Sequence, residues 1–342
     1  MVNSNMIAAN QAPVQAPVQA TNVGSLDTLA QLASNSLLKR AKAKYQTQQI
    51  VWRLASLNSP LKQQYWNAYH CASVLVQNTD DSGTNKTTAK YCGLRCCTVC
   101  NRIRTAKHYH SYQKQLNETE NLKFVTLTIK NVSSEYLRAA IDKMLLDFKK
   151  INDYLKNKYD DIVGLRKLEV TFNQRNNEFH PHFHILVNGT EKAEYFIKRW
   201  LELNPMANEQ GQNIRDTDSN SLNELLKYAT KSSYKIGKEN VVNVEALDII
   251  YQSLQGKRTV QPFGKLKKAN SKVTDEQVLE IENSLLDEQL SDEQLSDLTA
   301  QTYSMPHYDF MIWRYKKNDW INDFGEPATG FIPKKNHQLV FR

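Results

Sequence analysis

Hydrophobic residues along the chain follow two different spacings, and each spacing predicts a different kind of element. Apolar side chains recur every three to four positions in four segments, which are residues 26–70, 133–160, 191–204 and 221–235. This spacing gives a helix one apolar side, so the four segments are predicted helices. Apolar and polar residues alternate in three further segments, predicted as strands, at residues 122–131, 164–173 and 180–189. The order strand, long helix, strand, strand, helix indicates an α+β fold, an antiparallel sheet with flanking helices on one face.

The composition changes along the chain and suggests five regions. The predicted regions are a disordered leader at 1–25, a helical and Cys-rich region at 26–115, a central α+β domain at 116–268, an acidic insertion at 269–300 and an aromatic, basic C-terminal segment at 301–342. The leader carries the repeat QAPVQAPVQA, which offers little apolar surface to bury. The acidic insertion carries the duplication DEQLSDEQLSD.

Charge is distributed unevenly over these regions. The formal net charge is +8, but residues 271–300 carry −8, so the rest of the chain carries +16. A basic body favours a polyanionic partner such as nucleic acid. No apolar run approaches the ~20 residues that span a bilayer, and the N-terminus lacks the features of a secretory signal. We therefore expect a cytoplasmic protein without a membrane partner.

All five cysteines lie between Cys71 and Cys100, and the last part of this segment contains the pattern Cys-x4-Cys-x2-Cys. Without an export signal, a metal site is a better interpretation than a disulfide framework. The predicted ligands of a structural Zn²⁺ are Cys71, Cys92, Cys97 and Cys100. Cys96 is an alternative to Cys97, and alternative fourth ligands are His70, His108 and His110.

The segment around these cysteines is also basic. Between Ser82 and Asn117 it contains seven Lys or Arg residues and no acidic residue. A basic segment that a metal ion holds in shape suits contacts with DNA phosphates. The predicted DNA-contact residues are Arg95, Arg102, Arg104 and Lys107.

Three of the eight histidines, His180, His182 and His184, occupy alternate positions of the third predicted strand. Alternate side chains of a strand share one face, so the three imidazoles lie together. Pro181 suits only the start or edge of a strand, which favours His182 and His184 as the ordered pair. Glu169 lies mid-strand in the preceding strand, on the polar face, and is the predicted third ligand. Two imidazoles and a carboxylate can bind a divalent cation and leave positions open for substrate or water. The alternative is a His-rich surface strand without a metal ion.

The segment NELLKYATK places Glu224, Tyr228 and Lys231 on one face of a predicted helix. A phenol beside a lysine is a candidate nucleophile, because the cation stabilises the phenolate. Tyrosine and lysine are also common on exposed helices, and Glu224 alone fits a capping position. These residues by themselves therefore do not identify a reaction.

Together and in this order, the segments resemble the rolling-circle plasmid replication initiators, the Rep proteins of the HUH endonuclease superfamily. The resemblance covers about residues 70–268 and rests on YCGLRCCTVCNRIR, FVTLTIKN, LRKLEVTFN with FHPHFHILV, and NELLKYATK. It implies an HUH-type nicking domain at 116–268, built on an antiparallel sheet with flanking helices. It also implies a Cys-rich zinc knuckle and helical regions beside that domain.

The resemblance further implies an activity. Such initiators nick one strand at the double-strand origin of a plasmid, stay joined to the 5′ phosphate and leave a 3′-OH primer. Tyr228 would be the nucleophile, Glu224 would activate water for the terminating cleavage, and Lys231 would position the tyrosine or the phosphate. The implied ligands of a catalytic Mg²⁺ or Mn²⁺ are His182, His184 and Glu169.

The implied partners are plasmid origin DNA, with a single-stranded or hairpin nick site, and the host helicase, polymerase and single-strand binding protein in the bacterial cytoplasm. Three other functions are compatible with parts of the sequence. An HUH relaxase or transposase would use the same chemistry. A zinc-dependent DNA-binding regulator would need the cysteines but not the histidines and Tyr228 together. A metal-dependent hydrolase without a covalent step would not need Tyr228.

Overall fold

A computed structural model describes residues 26–79, 85–226, 233–236, 239–270, 272–286, 310–323, 326–333 and 340–341 of the chain. No helix within these ranges is both long enough and apolar enough to cross a membrane.

The N-terminal part of the described chain is mainly helical. It contains α1 (Leu26–Ser56), α2 (Lys62–Tyr69), the strands β1 (Val74–Thr79) and β2 (Asn85–Ala89), and α3 (Thr98–Asn117). The predicted helical segment at 26–70 is thus two helices, which pack against each other.

The central part alternates strands and helices. It contains β3 (Leu122–Thr128), α4 (Ser134–Lys158), β4 (Val163–Asn173), β5 (Glu178–Asn188), α5 (Thr190–Leu203), a short 3-10 helix (Glu209–Gly211), β6 (Asn213–Asp216), α6 (Ser221–Leu226), β7 (Ser233–Ile236), β8 (Glu239–Val242), α7 (Val244–Ser253) and β9 (Val260–Gly264). The predicted strand, long helix, strand, strand, helix order is therefore confirmed as β3, α4, β4, β5 and α5.

The C-terminal part adds α8 (Asp275–Leu286), β10 (Phe310–Lys316), β11 (Asp319–Ile321) and β12 (Val340–Phe341). Helix α8 is the described part of the acidic insertion and packs on α1 and α3. Its apolar residues Val278 and Ile281 are buried against Ala106 of α3.

The strands form three sheets. The central sheet has the order β6-β3-β5-β4-β9 and is antiparallel throughout. A second sheet has the order β11-β10-β1-β2, and a third has the order β12-β8-β7. Pairing of β1 with β10 joins the Cys-rich region to the aromatic C-terminal segment, in which Trp313 and Trp320 are fully buried.

One face of the central sheet supplies the larger core around it. Alternate residues of β3, β4 and β5, among them Leu127, Leu168 and Phe183, pack on apolar residues of α4, α5 and α7. Helix α4 has the expected amphipathic pattern, with Leu137, Ile141 and further residues at three- and four-residue spacing buried.

The other face of the sheet is covered as well. Leu165 and Leu186 pack there on Tyr112 of α3 and Leu225 of α6. The expectation of helices on a single face is therefore wrong. The short apolar stripes of α3 and α6 are buried because these helices pack on the second face of the sheet. The local sequence pattern does not indicate on which face a helix packs.

A second expectation is also wrong. The predicted helix at 221–235 is described as α6 only as far as Leu226, and Ser233–Ile236 forms strand β7, paired with β8. The segment contains an aromatic and a β-branched residue, which favour strands, and it pairs with β8. This pairing outweighs the preference for a helix that the spacing of its apolar residues indicated.

Strand β9 depends on a glycine in its neighbour. Gly164 of β4 lies directly opposite Phe263 of β9. A Cβ at Gly164 would come within 2.0 Å of Cζ of Phe263, whose ring packs against Phe148 and Phe196. We expect Gly164→Ala to lower the free energy of unfolding by about 1–3 kcal/mol, because the ring cannot move without disturbing this cluster. Chemical denaturation would measure the change.

The control for this substitution is Asn213→Ala, at an exposed position of β6. It should change stability by no more than about 0.5 kcal/mol. Equal stability of the two variants would contradict the described packing of β9.

Candidate metal centres and catalytic residues

The β4–β5 hairpin sets the positions of the predicted metal ligands. Its register places Glu169 directly opposite His182 and Lys167 directly opposite His184. All four side chains project from the face of the sheet that does not carry Leu168 and the large core. The predicted parity of Glu169 and the two histidines is thus present in the structure.

Glu169, His182 and His184 bring one donor atom each to within 4.8 Å of one another. Nε2 of His184 lies 4.0 Å from Oε2 of Glu169. Nδ1 of His182 lies 3.1 Å from the carbonyl oxygen of His180, to which it donates, and Nδ1 of His184 lies 3.3 Å from Oγ1 of Thr126. These bonds leave both Nε2 atoms as ligands, so the three side chains could hold a divalent metal ion.

The electrostatics of this group involve a residue that the sequence analysis missed. Glu169 is buried, which disfavours its charged form, but Lys167 and the two imidazoles outweigh that effect and hold the pKa of the carboxyl below its usual range. Nζ of Lys167 lies 2.8 Å from Oε2 of Glu169, and its side chain is only 1% exposed. Lys167 therefore keeps the carboxylate ionised and oriented before any cation binds.

His180 does not belong to the group. Its Nδ1 lies 2.8 Å from Oδ1 of Asn131, and its ring stacks on that of His182. Asn131 and His180 thus form the border of the site, as expected for the first histidine of the strand.

Pro181 is tolerated in this central strand for a local reason. Phe179 exchanges backbone hydrogen bonds with Val132, on the β3 side. Amides two residues apart point to the same neighbouring strand, so the missing N–H of Pro181 also faces that side. Strand β3 ends at Thr128, opposite His182. No hydrogen bond of the ladder is therefore lost at the proline.

Helix α6 brings Glu224 to the same face. Arg215 pairs with Glu224 and lies over the ring of Phe124, at 4.2 Å from its centroid. Phe124 in turn contacts the ring of His184, with centroids 5.4 Å apart. Glu224 is half-exposed and is connected to the metal-ligand group through this series of contacts. Tyr228 and Lys231 lie outside the described residues, so their predicted roles stay predictions.

The second group consists of thiols. Cys71, Cys92, Cys97 and Cys100 bring their sulfur atoms to within 4.8 Å of one another and could hold a metal ion. Cys71 follows α2, Cys92 lies in the loop after β2, Cys97 caps α3, and Cys100 lies in its first turn. The site therefore ties three separate segments together.

Backbone amides turn toward the sulfur atoms of this group. The N–H of Gly93 donates to Sγ of Cys100 at 3.2 Å, and the N–H of Cys92 donates to Sγ of Cys71 at 3.3 Å. Hydrogen bonds from the neighbouring thiols hold the pKa of Cys100 below its usual value. The N-terminus of α3 favours a thiolate at the same place.

Lys44 of α1 supports this group from behind. Its buried Nζ donates to the carbonyl oxygens of Tyr69 and Cys71, at 2.6 Å each. Burial lowers its pKa to about 8, against the raising effect of the nearby cysteines. A fixed cation beside four sulfur atoms offsets the negative charge that thiolates bring.

The structure distinguishes between the alternative ligands. Cys97 belongs to the thiol group and Cys96 does not. Cys96 is buried outside this group, and its burial raises the pKa of its thiol to about 12. The alternative histidines, His70, His108 and His110, are not members of the group either.

The predicted DNA-contact residues have different surroundings. Arg95 donates to the carbonyl oxygens of Leu254 and Lys257, and Arg104 donates to that of Gly93. Both arginines thereby hold loops in place. Arg102 is 5% exposed, whereas Lys107 is exposed. Contact with DNA stays a prediction for all of the predicted DNA-contact residues.

The site residues that the sequence analysis did not name include Lys167, Asn131, Phe124 and Arg215. Lys167 could have been found by the argument used for Glu169, because it lies two residues away on the same face. The other three reach the site through strand pairing and a loop, for which the sequence carries no local signal.

Comparison of the sequence with known proteins identifies a family match that includes this site. A family model described as Replication protein (Rep_1) matches residues 84–319. The matched region includes Glu169, His182 and His184 and three of the four grouped cysteines.

Individual relatives agree with the family match. A Protein rep of Staphylococcus aureus is 31% identical over 172 residues, which cover 44% of this chain and 74% of the relative. A Protein rep of Lentilactobacillus hilgardii is 25% identical over 238 residues, or 61% of this chain and 74% of the relative. A Protein rep of Bacillus amyloliquefaciens is 35% identical over 121 residues, and the match spans about a third of each chain, 33% and 34%. No solved structure gives a significant match.

The family model spans more than half of the chain, and the chain belongs to this family of replication proteins. This membership confirms the resemblance to plasmid replication initiators that the sequence motifs predicted.

The thiol group gives a testable prediction. We expect Cys100→Ser to lose one equivalent of bound metal and more than about 4 kcal/mol of stability, because three sulfur ligands no longer join the α2, β2 and α3 segments. Elemental analysis of the purified protein, together with denaturant unfolding, would measure both effects.

The matched control is Cys96→Ala, a change at the neighbouring thiol outside the group. It should retain the metal content of the wild-type protein. Equal metal loss in both variants would contradict the assignment of Cys97 over Cys96.

Proposed function

We propose that this protein is a rolling-circle plasmid replication initiator that nicks one strand at the double-strand origin through a 5′-phosphotyrosine intermediate. The observation that carries the proposal is the Glu169, His182 and His184 group, which lies on a central strand pair within the region matched by the replication protein family. Plasmid replication follows from the family, and the nicking chemistry is inferred from the site.

The donor set fits a divalent cation such as Mg²⁺ or Mn²⁺. Two neutral imidazoles and one carboxylate leave several coordination positions open. When bound there, such an ion would polarise the scissile phosphate and offset charge on the leaving oxygen. Lys167 keeps Glu169 ionised, and the Nδ1 hydrogen bonds of the two histidines keep both Nε2 atoms directed to one point.

The proposed nucleophile is Tyr228. Its phenolic oxygen forms a bond to phosphorus while the bond from phosphorus to the 3′-oxygen breaks. The phenol proton is lost, and the 3′-oxygen takes up a proton to become the 3′-OH primer. Leu226, two residues before Tyr228, is buried on the sheet face that carries the metal-ligand group, which supports this assignment. Lys231 would stabilise the phenolate or hold the phosphate.

Glu224 is proposed to act in the terminating step. There it would accept a proton from a water molecule that attacks phosphorus, so that the last strand is released without a second tyrosine. Its carboxylate is half-exposed and therefore within reach of water, and Arg215 holds it beside Phe124.

The thiol group is proposed to hold a structural Zn²⁺. Four sulfur ligands without an open position are typical of structural rather than catalytic zinc. Its role would be to fix the start of α3, and with it the basic segment that the sequence analysis associated with DNA.

The partner is proposed to be plasmid origin DNA, presented at the nick site as a single strand or hairpin. The charge of +16 outside residues 271–300 supports binding to a polyanion. Host helicase, polymerase and single-strand binding protein would act on the nicked product in the bacterial cytoplasm. Relaxases and transposases with the same chemistry differ in the DNA that they process. The choice of DNA substrate, and not the metal site, would therefore distinguish them from a replication initiator.

Nicking assays on supercoiled plasmid with the cognate origin would test the central proposal. We expect the wild-type protein to nick this DNA in the presence of Mn²⁺ or Mg²⁺ and to remain covalently attached. EDTA and the double substitution His182→Ala and His184→Ala should abolish nicking. Tyr228→Phe should abolish both nicking and attachment, which a denaturing gel detects.

Each other outcome has a defined meaning. Nicking that persists in Tyr228→Phe would contradict the tyrosine nucleophile and favour a water-using hydrolase. Origin binding without nicking under any metal would contradict the proposal and favour the zinc-dependent DNA-binding regulator. His180→Ala is the matched control, because His180 lies outside the ligand group and should leave the reaction metal-dependent.

The role of Glu224 gives a separate prediction. We expect Glu224→Gln to keep the first nick but to reduce release of DNA in the terminating cleavage by 10²-fold or more, as for loss of a general base, about 10²–10⁴. The measurement is the rate at which covalently attached DNA is released.

The control for Glu224 is Arg215→Gln, which removes the same ion pair but retains the carboxylate. If both substitutions slow the release of covalently attached DNA equally, the ion pair has a structural role and Glu224 is not the general base.

A further inference from the structure

Arg166 lies on the opposite side of the sheet from the metal-ligand group, and its environment is unusual for a charged residue. It is 1% exposed. Its guanidinium lies over the neighbouring rings of Phe148 and Phe183, at 5.0 and 4.8 Å from their centroids. A cation in such an apolar setting normally has a carboxylate partner.

Arg166 has no such partner among the described residues. Its Nη2 donates to the carbonyl oxygen of Arg258 and to Oε1 of Gln261, both at 3.0 Å. Nε and Nη1 are buried, and no residue in the described part of the chain supplies them with a hydrogen-bond acceptor. Burial lowers the pKa of Arg166 to about 10. Buried donors without an acceptor are rare in folded proteins and need an explanation.

A cavity of about 380 Å³ lies next to this guanidinium. That volume is in the range of small-ligand sites, about 300–1,000 Å³. Its lining includes five cationic residues and a single carboxylate, and the cations are Lys149, Lys156, Arg166, Lys257 and Arg258. The cavity is therefore suited to an anion.

The charges around the cavity are only partly neutralised. The carboxylate, Asp153, pairs with Lys149 at 3.0 Å, and Lys257 pairs with Asp142. Lys156 and Arg258 are exposed at the rim and form no ion pair within the described part of the chain. Buried Arg166 at the base and free cations at the rim together match the oxygens of a phosphate group.

A further polar group lines the same cavity without a partner. The side-chain oxygen of Asn152 is buried and accepts no hydrogen bond from any described residue. Rotation of this amide by half a turn would present N–H donors instead, because the two amide orientations have almost the same shape.

The loop that carries two of the cations is held in place. It follows α7, and Arg95 of the Cys-rich region donates to the carbonyl oxygens of Leu254 and Lys257. The loop that carries Lys257 and Arg258 is therefore linked through Arg95 to the segment of the thiol group. This link fixes the backbone of the loop, and a fixed backbone favours a defined binding site.

We infer that the cavity beside Arg166 is a phosphate-binding site, in which Lys156 and Arg258 neutralise the phosphate oxygens while the buried guanidinium of Arg166, which has no carboxylate partner among the described residues, adds positive potential at the base. The same chemistry fits a backbone phosphodiester of duplex DNA and a free phosphate group. The DNA source rests on the proposed function, and the anion site itself does not. Arg166 and Glu169 are separated by about 10 Å along β4 and lie on opposite faces, so this site is distinct from the nicking site.

Two binding measurements on the full chain would test the inference, with no Mg²⁺ or Mn²⁺ added so that no DNA is cleaved and the thiol group keeps its metal ion. The test variant is Lys156→Gln with Arg258→Gln, which leaves the buried Arg166 in place and should fold. The matched control is Lys198→Gln, an exposed lysine of α5 outside the cavity. The probes are a short duplex oligonucleotide of arbitrary sequence and inorganic phosphate.

If the phosphate comes from the DNA backbone, the test variant should bind duplex several-fold more weakly than the control. The slope of log K against log[salt] should fall by about 0.9, which corresponds to one phosphate contact. If it comes from a free phosphate group, inorganic phosphate should raise the unfolding temperature of the wild-type and control proteins but not that of the test variant, with duplex binding unchanged.

The inference would be overturned if the test variant matched the control in both measurements. Arg166→Met is a second variant, which should lose the phosphate effect if it folds, as circular dichroism would show. Nicking of a single-stranded origin oligonucleotide with Mn²⁺ separates this result from the proposed function. Wild-type protein that binds phosphate but never nicks would contradict the function and leave the anion site.

Discussion

The register of the β4–β5 hairpin is the constraint on which both faces of the central sheet depend. It places Glu169 opposite His182 on one face and Leu168 opposite Phe183 on the other. A slip by one residue would move the side chains of Glu169, His182 and His184 into the large apolar core and the apolar residues onto the opposite face, because side chains alternate strictly along a strand. Burial of the core thus holds the candidate metal ligands in position, although none of them contributes to that core.

Buried charge is handled differently on the two faces of β4. On the ligand face, Lys167 and Glu169 neutralise each other at 2.8 Å, so a carboxylate can stay ionised in a buried position. On the face of the large core, Arg166 has aromatic rings and neutral acceptors around it, and two of its nitrogens have no hydrogen-bond acceptor among the described residues. The Lys167–Glu169 pair is neutral by itself, and it keeps the Glu169 carboxylate oriented to bind a cation. Arg166 instead leaves a positive charge that an anion would satisfy.

The thiol group organises the Cys-rich region, and neighbouring residues connect that region to the rest of the molecule. Cys71 and Cys92 flank the β1–β2 hairpin, and Cys97 lies at the start of α3. Arg95, within the same loop, reaches the segment after α7, and Trp320 of the C-terminal strands donates to the carbonyl oxygen of Ala72. Loss of the group would therefore affect the loop near the sheet as well as the start of α3.

The sequence by itself determined what depends on short spacing: the order of the central strands and helices, the shared face of His182, His184 and Glu169, and the cysteines that can reach one ion. These features follow from the two-residue alternation of side chains in a strand and from the short distances between the residues along the chain, both of which can be read from the local sequence. Only the tertiary structure decided that Cys97 and not Cys96 joins the group, that Ser233–Ile236 is a strand, and that helices cover both faces. It also decided that Lys167 has a carboxylate partner, whereas Arg166 has none within the described ranges. These outcomes depend on burial and on contacts between residues far apart in the chain, and no local pattern encodes them.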